Sequence, residues 1–158
     1  MVKVINLDNL ATCQDLYRQF TTEAEAQTHI RTLANNYAKS GYEVQHIPAA
    51  EGIMFNDPQM LKVIKHFNVT NPNAPENIVV YALVPHAEGE FVTITRNRMR
   101  YYSEAEDETN YNFVNKSGSI ETIHAEMLEN GYILVKQENG IYVYKSETDT
   151  FISEIYVF

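Results

Sequence analysis

Two short stretches constrain this chain more than anything else in it: SGYEV (40–44) and NGYIL (130–134). Each follows a run with helical apolar spacing and leads into a run that reads as a strand. A helix that stops cleanly wants a residue able to take a left-handed backbone just past its end, and Gly41 and Gly131 stand in that position. Aligning Ile30 with Ile120 brings the two glycines, then Tyr42 with Tyr132 and Val44 with Leu134, into register. A two-residue gap then sets Gly52 on Gly140 and Ile53 on Ile141. The reading is one plan of helix, Gly-Tyr, strand, turn and strand used twice. The alternative is convergence, because a Gly-ended helix before a strand is ordinary chemistry.

The rest of the chain is read around these anchors. VKVINL (2–7) alternates as an opening strand. DNLATCQDLYRQF (8–20) spaces Leu10, Cys13, Leu16, Tyr17 and Phe20 as a helix, with Asp8 as its cap. Thr22 with Glu25 reads as a capping box, and Ala26, Ile30, Leu33, Ala34 and Tyr37 form one stripe of the helix that Gly41 ends. YEVQHI and GIMF read as strands, and residues 57–68 as a helix with Asp57-Pro58 at its start and Met60, Leu61, Ile64 and Phe67 on one face. TNPNAPEN is a chain reversal. NIVVYALV is apolar enough for a central strand covered on both faces. EFVTITRNRMRYY and YNFVN are two further strands, flanking the acidic loop 103–110. SIETIHAEMLENG repeats the capped helix, and YILVKQ, IYVYKS and FISEIYVF make a meander. Glu138-Asn139-Gly140 supplies its first turn, since Asn-Gly accepts two positive φ angles.

The expected fold is therefore α+β: antiparallel sheet or sheets with helices on one side, built from two related α-β-β-β units with pseudo-twofold symmetry. At 158 residues the chain fits a single domain spanning 1–158, with internal halves at 22–102 and 118–158. The first half carries residues 57–68 as an inserted helix.

Composition narrows the function classes. Twelve Lys and Arg against 21 Asp and Glu give a formal net charge of −9, which repels phosphate backbones and disfavours nucleic acid as a partner. No apolar run approaches the roughly 20 residues that cross a bilayer, and the first residues lack a secretory apolar core. Cys13 is the only cysteine, so neither an intrachain disulfide nor a thiolate zinc cluster can form. The expected location is the cytoplasm. Eleven Tyr and seven Phe with no Trp fit half-buried sheet faces.

Three groups of residues carry candidate chemistry. Arg96, Arg98 and Arg100 alternate on one strand and would share a face about 14 Å long. With Tyr101 beside them, their guanidinium forks suit phosphate or carboxylate. The competing reading is a solvated edge paired with Glu104, Glu106, Asp107 and Glu108. Tyr142, Tyr144, Tyr156 and Phe158 offer an aromatic surface for a protein partner; without basic neighbours it lacks the electrostatics of an RNA-stacking sheet. Glu121 with His124, and Glu25 with His29, sit on helix faces at ligand spacing, but the sequence gives neither pair the third and fourth ligands of a metal site. Neither a nucleophile elbow nor a phosphate-cradling glycine loop is present, so no catalytic residue is assigned and no cofactor is expected.

The sequence thus reads as a non-catalytic interaction or adaptor module that pairs with itself or another protein. The motive for self-association is FISEIYVF, a last strand apolar on both faces that needs cover from the sheet centre or a second subunit. The alternatives are a binder of a small anionic or phosphorylated ligand, an enzyme included, using the arginine stripe, and an acidic inhibitor that mimics nucleic acid.

Overall fold

The computed structural model describes residues 1–49, 58–66, 76–99 and 110–158. They fall into two compact units, one within residues 1–86 and one within 87–158. The first runs β1 (Val2–Asn6), a 3-10 turn (Leu7–Asn9), β2 (Tyr17–Phe20), α1 (Glu23–Lys39), β3 (Glu43–Ile47), β4 (Gln59–His66) and β5 (Glu76–Pro85). The second runs β6 (Phe91–Met99), β7 (Asn110–Lys116), α2 (Ile120–Glu129), β8 (Ile133–Glu138), β9 (Ile141–Glu147) and β10 (Phe151–Val157). Each unit holds one five-stranded antiparallel sheet, ordered β2-β1-β5-β4-β3 in the first and β7-β6-β10-β9-β8 in the second. Ranked within its own unit, the strand order is the same in both. The chain is α+β with two similar units, as expected.

Both helices start and stop as the sequence predicts. Thr22 Oγ1 accepts from Glu25 N–H at 3.2 Å, and Ser119 Oγ accepts from Thr122 N–H at 3.2 Å, so each helix has one of its first free donors satisfied. At the far ends, Gly41 (φ +86°) and Gly131 (φ +85°) reverse the chain. Tyr42 N–H donates to Tyr37 O and Gly41 N–H to Ala38 O, and in the second unit Tyr132 N–H donates to Met127 O and Gly131 N–H to Leu128 O. These are two complete Schellman motifs. They explain the echo between SGYEV and NGYIL: each motif delivers the chain onto β3 or β8, the edge of its sheet. Between β8 and β9, Asn139 (φ +54°) and Gly140 (φ +76°) make the expected tight hairpin.

Two expected helices do not form. Residues 8–20 give a 3-10 turn and then β2. Cys13 and Asp15 take positive φ (55° and 46°), Asn9 Nδ2 donates to Asp15 O, and Thr12 Oγ1 donates to Asn9 O, so side chains satisfy the backbone in a turn instead of a helix. Leu10, Cys13 and Leu16 are still buried, which is why their spacing mimicked a helical stripe. Residues 59–66 form β4, not an inserted helix. Leu61 and Val63 face α1 while Ile64 is buried on the other face, and apolar residues on both faces erase the period that separates strand from helix.

The halves also differ from expectation in content. A leading hairpin joins each, β1-β2 in the first sheet and β6-β7 in the second, so the unit is β-β-α-β-β-β. Val44 opposite Val63 matches Leu134 opposite Tyr144, as aligned from the glycines. The same register puts Met60, not Ile53, at the place of Ile141. Gly52, Ile53, the GIMF strand, Asp57, Phe67 and Asn68 of the expected inserted helix, residues 70–75 of the reversal and 103–109 of the acidic loop lie outside the described residues.

Each helix covers one face of its own sheet. Under α1, Ala26, Ile30 and Ala34 pack on Val2, Val4, Leu61, Val63 and Leu83. Under α2, Ile123 and Met127 pack on Tyr144 and Val157. The expectation that NIVVYALV is central holds, for β5 lies between β1 and β4, and Ala82, Leu83 and Val84 are all buried. FISEIYVF is also interior in its sheet: β10 lies between β6 and β9, and Tyr156, Val157 and Phe158 are buried while Phe151 is exposed.

Candidate functional site

The second unit leaves an apolar edge open. β8 ends its sheet, with β9 as its one neighbour there. Along it Ile133, Leu134 and Val135 are 61 %, 37 % and 49 % exposed. Three consecutive exposed aliphatics on a terminal strand present both side chains and unpaired backbone groups to an incoming strand. The register shifts between Leu134 and Lys136, so Val135 sits in a β-bulge and the strand bends there. Lys136 follows, 3.2 Å from Glu138, and returns the edge to charged residues.

Beside this edge runs a cleft of about 380 Å³, lined by Ile120, Glu121, His124, Leu134, Gln137, Tyr142 and Tyr144. α2 is only ten residues long, so its first turn leaves part of the sheet open next to Leu134. His124 Nδ1 lies 3.1 Å from Tyr144 Oη, with the rings tilted at 5.7 Å between centroids. Burial, and then the nearby Tyr142, push the Tyr144 phenol above its ordinary pKa, so it stays protonated across the physiological range. The cleft thus has a neutral aromatic floor, one imidazole and one carboxylate at its rim.

The residues singled out from sequence distribute as follows. Tyr142 and Tyr144 share the face under α2, and Tyr144 is fully buried. Tyr156 is on the opposite face of the sheet, pairing at Ile94 and donating from its hydroxyl to Glu154 Oε2 at 3.0 Å. Phe158 is buried and exchanges both backbone hydrogen bonds with Val92. The four aromatics therefore do not make one surface. Arg96 and Arg98 lie on β6 on the face that Glu154 shares, and Arg98 Nε is 3.7 Å from Glu154 Oε1. The acidic neighbour of Arg98 thus comes from β10. Arg100, Tyr101, Glu104, Glu106, Asp107 and Glu108 lie outside the described residues. Glu121 and His124 both line the α2 cleft, while His29 stands beside Phe20 and Arg18 in the first unit. Among the described residues no group of three or more His, Cys, Asp or Glu is placed to hold a metal ion, and no helix is long and apolar enough to cross a membrane.

The β8 edge carries little local signal in the sequence. YILVKQ has the apolar density of a buried central strand, and only the strand order puts it outermost. The one local signal is Lys136, a charge of the kind that closes exposed edges. No protein-family model matches the chain, and neither the curated proteins nor the solved structures yield a match to it.

Proposed function

We propose that this protein is a non-catalytic interaction module that self-associates through β8. The supporting observation is the exposure of three consecutive aliphatics, Ile133, Leu134 and Val135, on the last strand of its sheet, where the opposite edge strand β7 exposes a single one, Val114. The triplet is complementary to itself. In antiparallel pairing about Leu134, Ile133 of one copy faces Val135 of the other and Leu134 faces Leu134, which is what a twofold interface requires. The α2 cleft lies under the same edge and gives the paired strand an apolar wall.

The arginine-stripe reading has less support, because Glu154 already stands at Arg98. Mimicry of nucleic acid wants rows of carboxylates, and here Lys116, Lys136 and Lys145 are each paired with a glutamate.

Sedimentation velocity over a concentration series tests the proposal. The protein should shift from monomer to dimer as concentration rises, and Leu134→Lys should hold it as a monomer with its circular dichroism unchanged. A wild-type protein that stays monomeric at the highest concentration, or a Leu134→Lys variant that dimerises as well as wild type, overturns it.

A further inference from the structure

The shared strand order makes the two units a controlled comparison, position by position. Counting through the paired registers from Gly41 and Gly131, Val44 corresponds to Leu134, Val63 to Tyr144, Val79 to Ile155, Tyr81 to Val157, Asn6 to Thr93 and Val4 to Phe91. Val4 pairs with Arg18, and Phe91 pairs with Lys116. Arg18 and Lys116 are therefore equivalent cations on the second strand of each unit. Counting from the helix caps Thr22 and Ser119, the residue seven positions on is His29 in the first unit and Glu126 in the second.

In the second unit the pair closes on itself: Lys116 Nζ is 2.6 Å from Glu126 Oε1. In the first unit the helix supplies an imidazole where a carboxylate would stand. Burial and the Arg18 charge both lower the His29 pKa, so the ring is neutral and gives Arg18 no counter-charge. Arg18 makes no ion pair among the described residues; its guanidinium lies over the Phe20 ring, 5.2 Å from the centroid.

A cleft of about 410 Å³ opens at this position. Val4, Leu16 and Leu33 supply apolar walls, and Asn6, Asn9, Asp15, Arg18, His29 and Tyr81 the polar groups. Tyr81 is fixed by a 2.8 Å hydrogen bond to Tyr37 Oη. Asp15 is presented by a backbone in the left-handed region (φ 46°), held there by Asn9. One cation and one carboxylate line a cleft otherwise neutral and half apolar, which matches a ligand carrying one negative charge and one donor group.

We propose that the first unit binds a small organic monocarboxylate in this cleft, its carboxylate on Arg18 in the place Glu126 takes on Lys116, and an amino or hydroxyl group on the neighbouring carbon turned toward Asp15. The ligand supplies from outside the charge that the second unit carries in its own helix. Arg18 and the His29 N–H donate to the carboxylate, and the aliphatic part lies on Leu16 and Leu33. The other titratable or charged groups that line the cleft with His29 are Asp15 on the loop before β2, Tyr17 and Arg18 on β2, and Tyr81 on β5, with the Asp8 carboxylate acting on Tyr81.

The test uses the full chain, followed by NMR of the arginine side-chain and histidine ring signals during titration with leucine, its 2-hydroxy acid analogue and leucinamide. At least one of the two carboxylates should bind saturably and raise the His29 pKa toward its ordinary value, while leucinamide should not bind. A preference for leucine assigns the donor as ammonium, and a preference for the hydroxy acid assigns it as hydroxyl. Arg18→Gln should weaken binding by about 10- to 100-fold, the loss of a charge-assisted contact. His29→Glu, which installs the second unit's ion pair, should abolish binding without lowering the melting temperature, so loss of fold and loss of site are told apart. Lys116→Gln should leave binding unchanged. Failure of both carboxylates to bind, equal binding of leucinamide, or full binding by folded Arg18→Gln overturns the proposal.

Discussion

The first and second units lay out their strands in one order and differ in what they do at the borders. Both helices begin at a hydroxyl cap and end in a Schellman motif, yet α1 has 17 residues and α2 has ten. The longer helix is flanked at its sheet edge by β3, with Glu43, Gln45 and His46 on show and one exposed aliphatic, Ile47. The shorter one is flanked by β8, with Ile133, Leu134 and Val135. Conversely, the second strand's cation is neutralised beside α2 and has no counter-ion among the described residues beside α1. Caps, tight turns and alternate burial carry the architecture, and these are the shared features. The unshared ones are an apolar edge in one unit and an uncompensated arginine in the other, and both proposals rest there.

The comparison is most easily broken at the cores. Leu61→Ala under α1 and Ile123→Ala under α2 should each destabilise the protein by roughly 2–5 kcal/mol in chemical denaturation, because both side chains are buried in close-packed clusters. A loss below about 1 kcal/mol for either would mean that one unit lacks the packed helix–sheet core described for it. The helix ends give a finer test. A Cβ at Gly41 or Gly131 would meet nothing within 4 Å, so Gly→Ala at either costs only the left-handed backbone, about 1–2 kcal/mol. The two penalties should agree; a clear inequality in denaturation midpoints would show that the two ends are not the same device.

The smallest effect distinguishes the units by pH. His29 has its folded pKa below the unfolded value of about 6.5, so on acidification the unfolded chain takes up the proton first. Stability contributed by the neutral ring is complete above about pH 6.5, declines as the pH falls toward the folded pKa, and changes no further below it. Melting curves between pH 7.5 and 5 should therefore fall less steeply for His29→Gln than for wild type. Equal slopes would show that the His29 ring is not held neutral in the first unit.

How much of this was written locally in the chain follows a physical line. Caps and left-handed glycines are local, so Thr22, Gly41, Ser119, Gly131 and the Asn139-Gly140 turn were legible at once. Period fails where both faces of an element are buried, as in β4. It also fails where side chains rather than helix bonds satisfy the backbone, as between Leu10 and Leu16. The sites were less legible still. Whether ILV on β8 is core or edge depends on strand order, and the contrast between Arg18 with His29 and Lys116 with Glu126 emerges only when registers are counted across the sheets. Alternate spacing puts Arg96 with Arg98, and Tyr142 with Tyr144, on one strand face but does not say which neighbouring strand faces them. The structure gives Arg98 an acidic neighbour on β10 and places the tyrosines on opposite faces of one sheet.

The bulge at Val135 bears on more than the shape of β8. An uninterrupted apolar edge would offer an added strand a hydrogen-bond ladder along its whole length. Here the extra residue throws the backbone donors and acceptors out of step after Leu134, and the paired charges of Lys136 and Glu138 follow at once. A newcomer finds hydrogen-bonding partners for only a few residues before the ladder fails. The same irregularity limits how many residues of the edge an added strand can pair with, and so keeps any association through it weak.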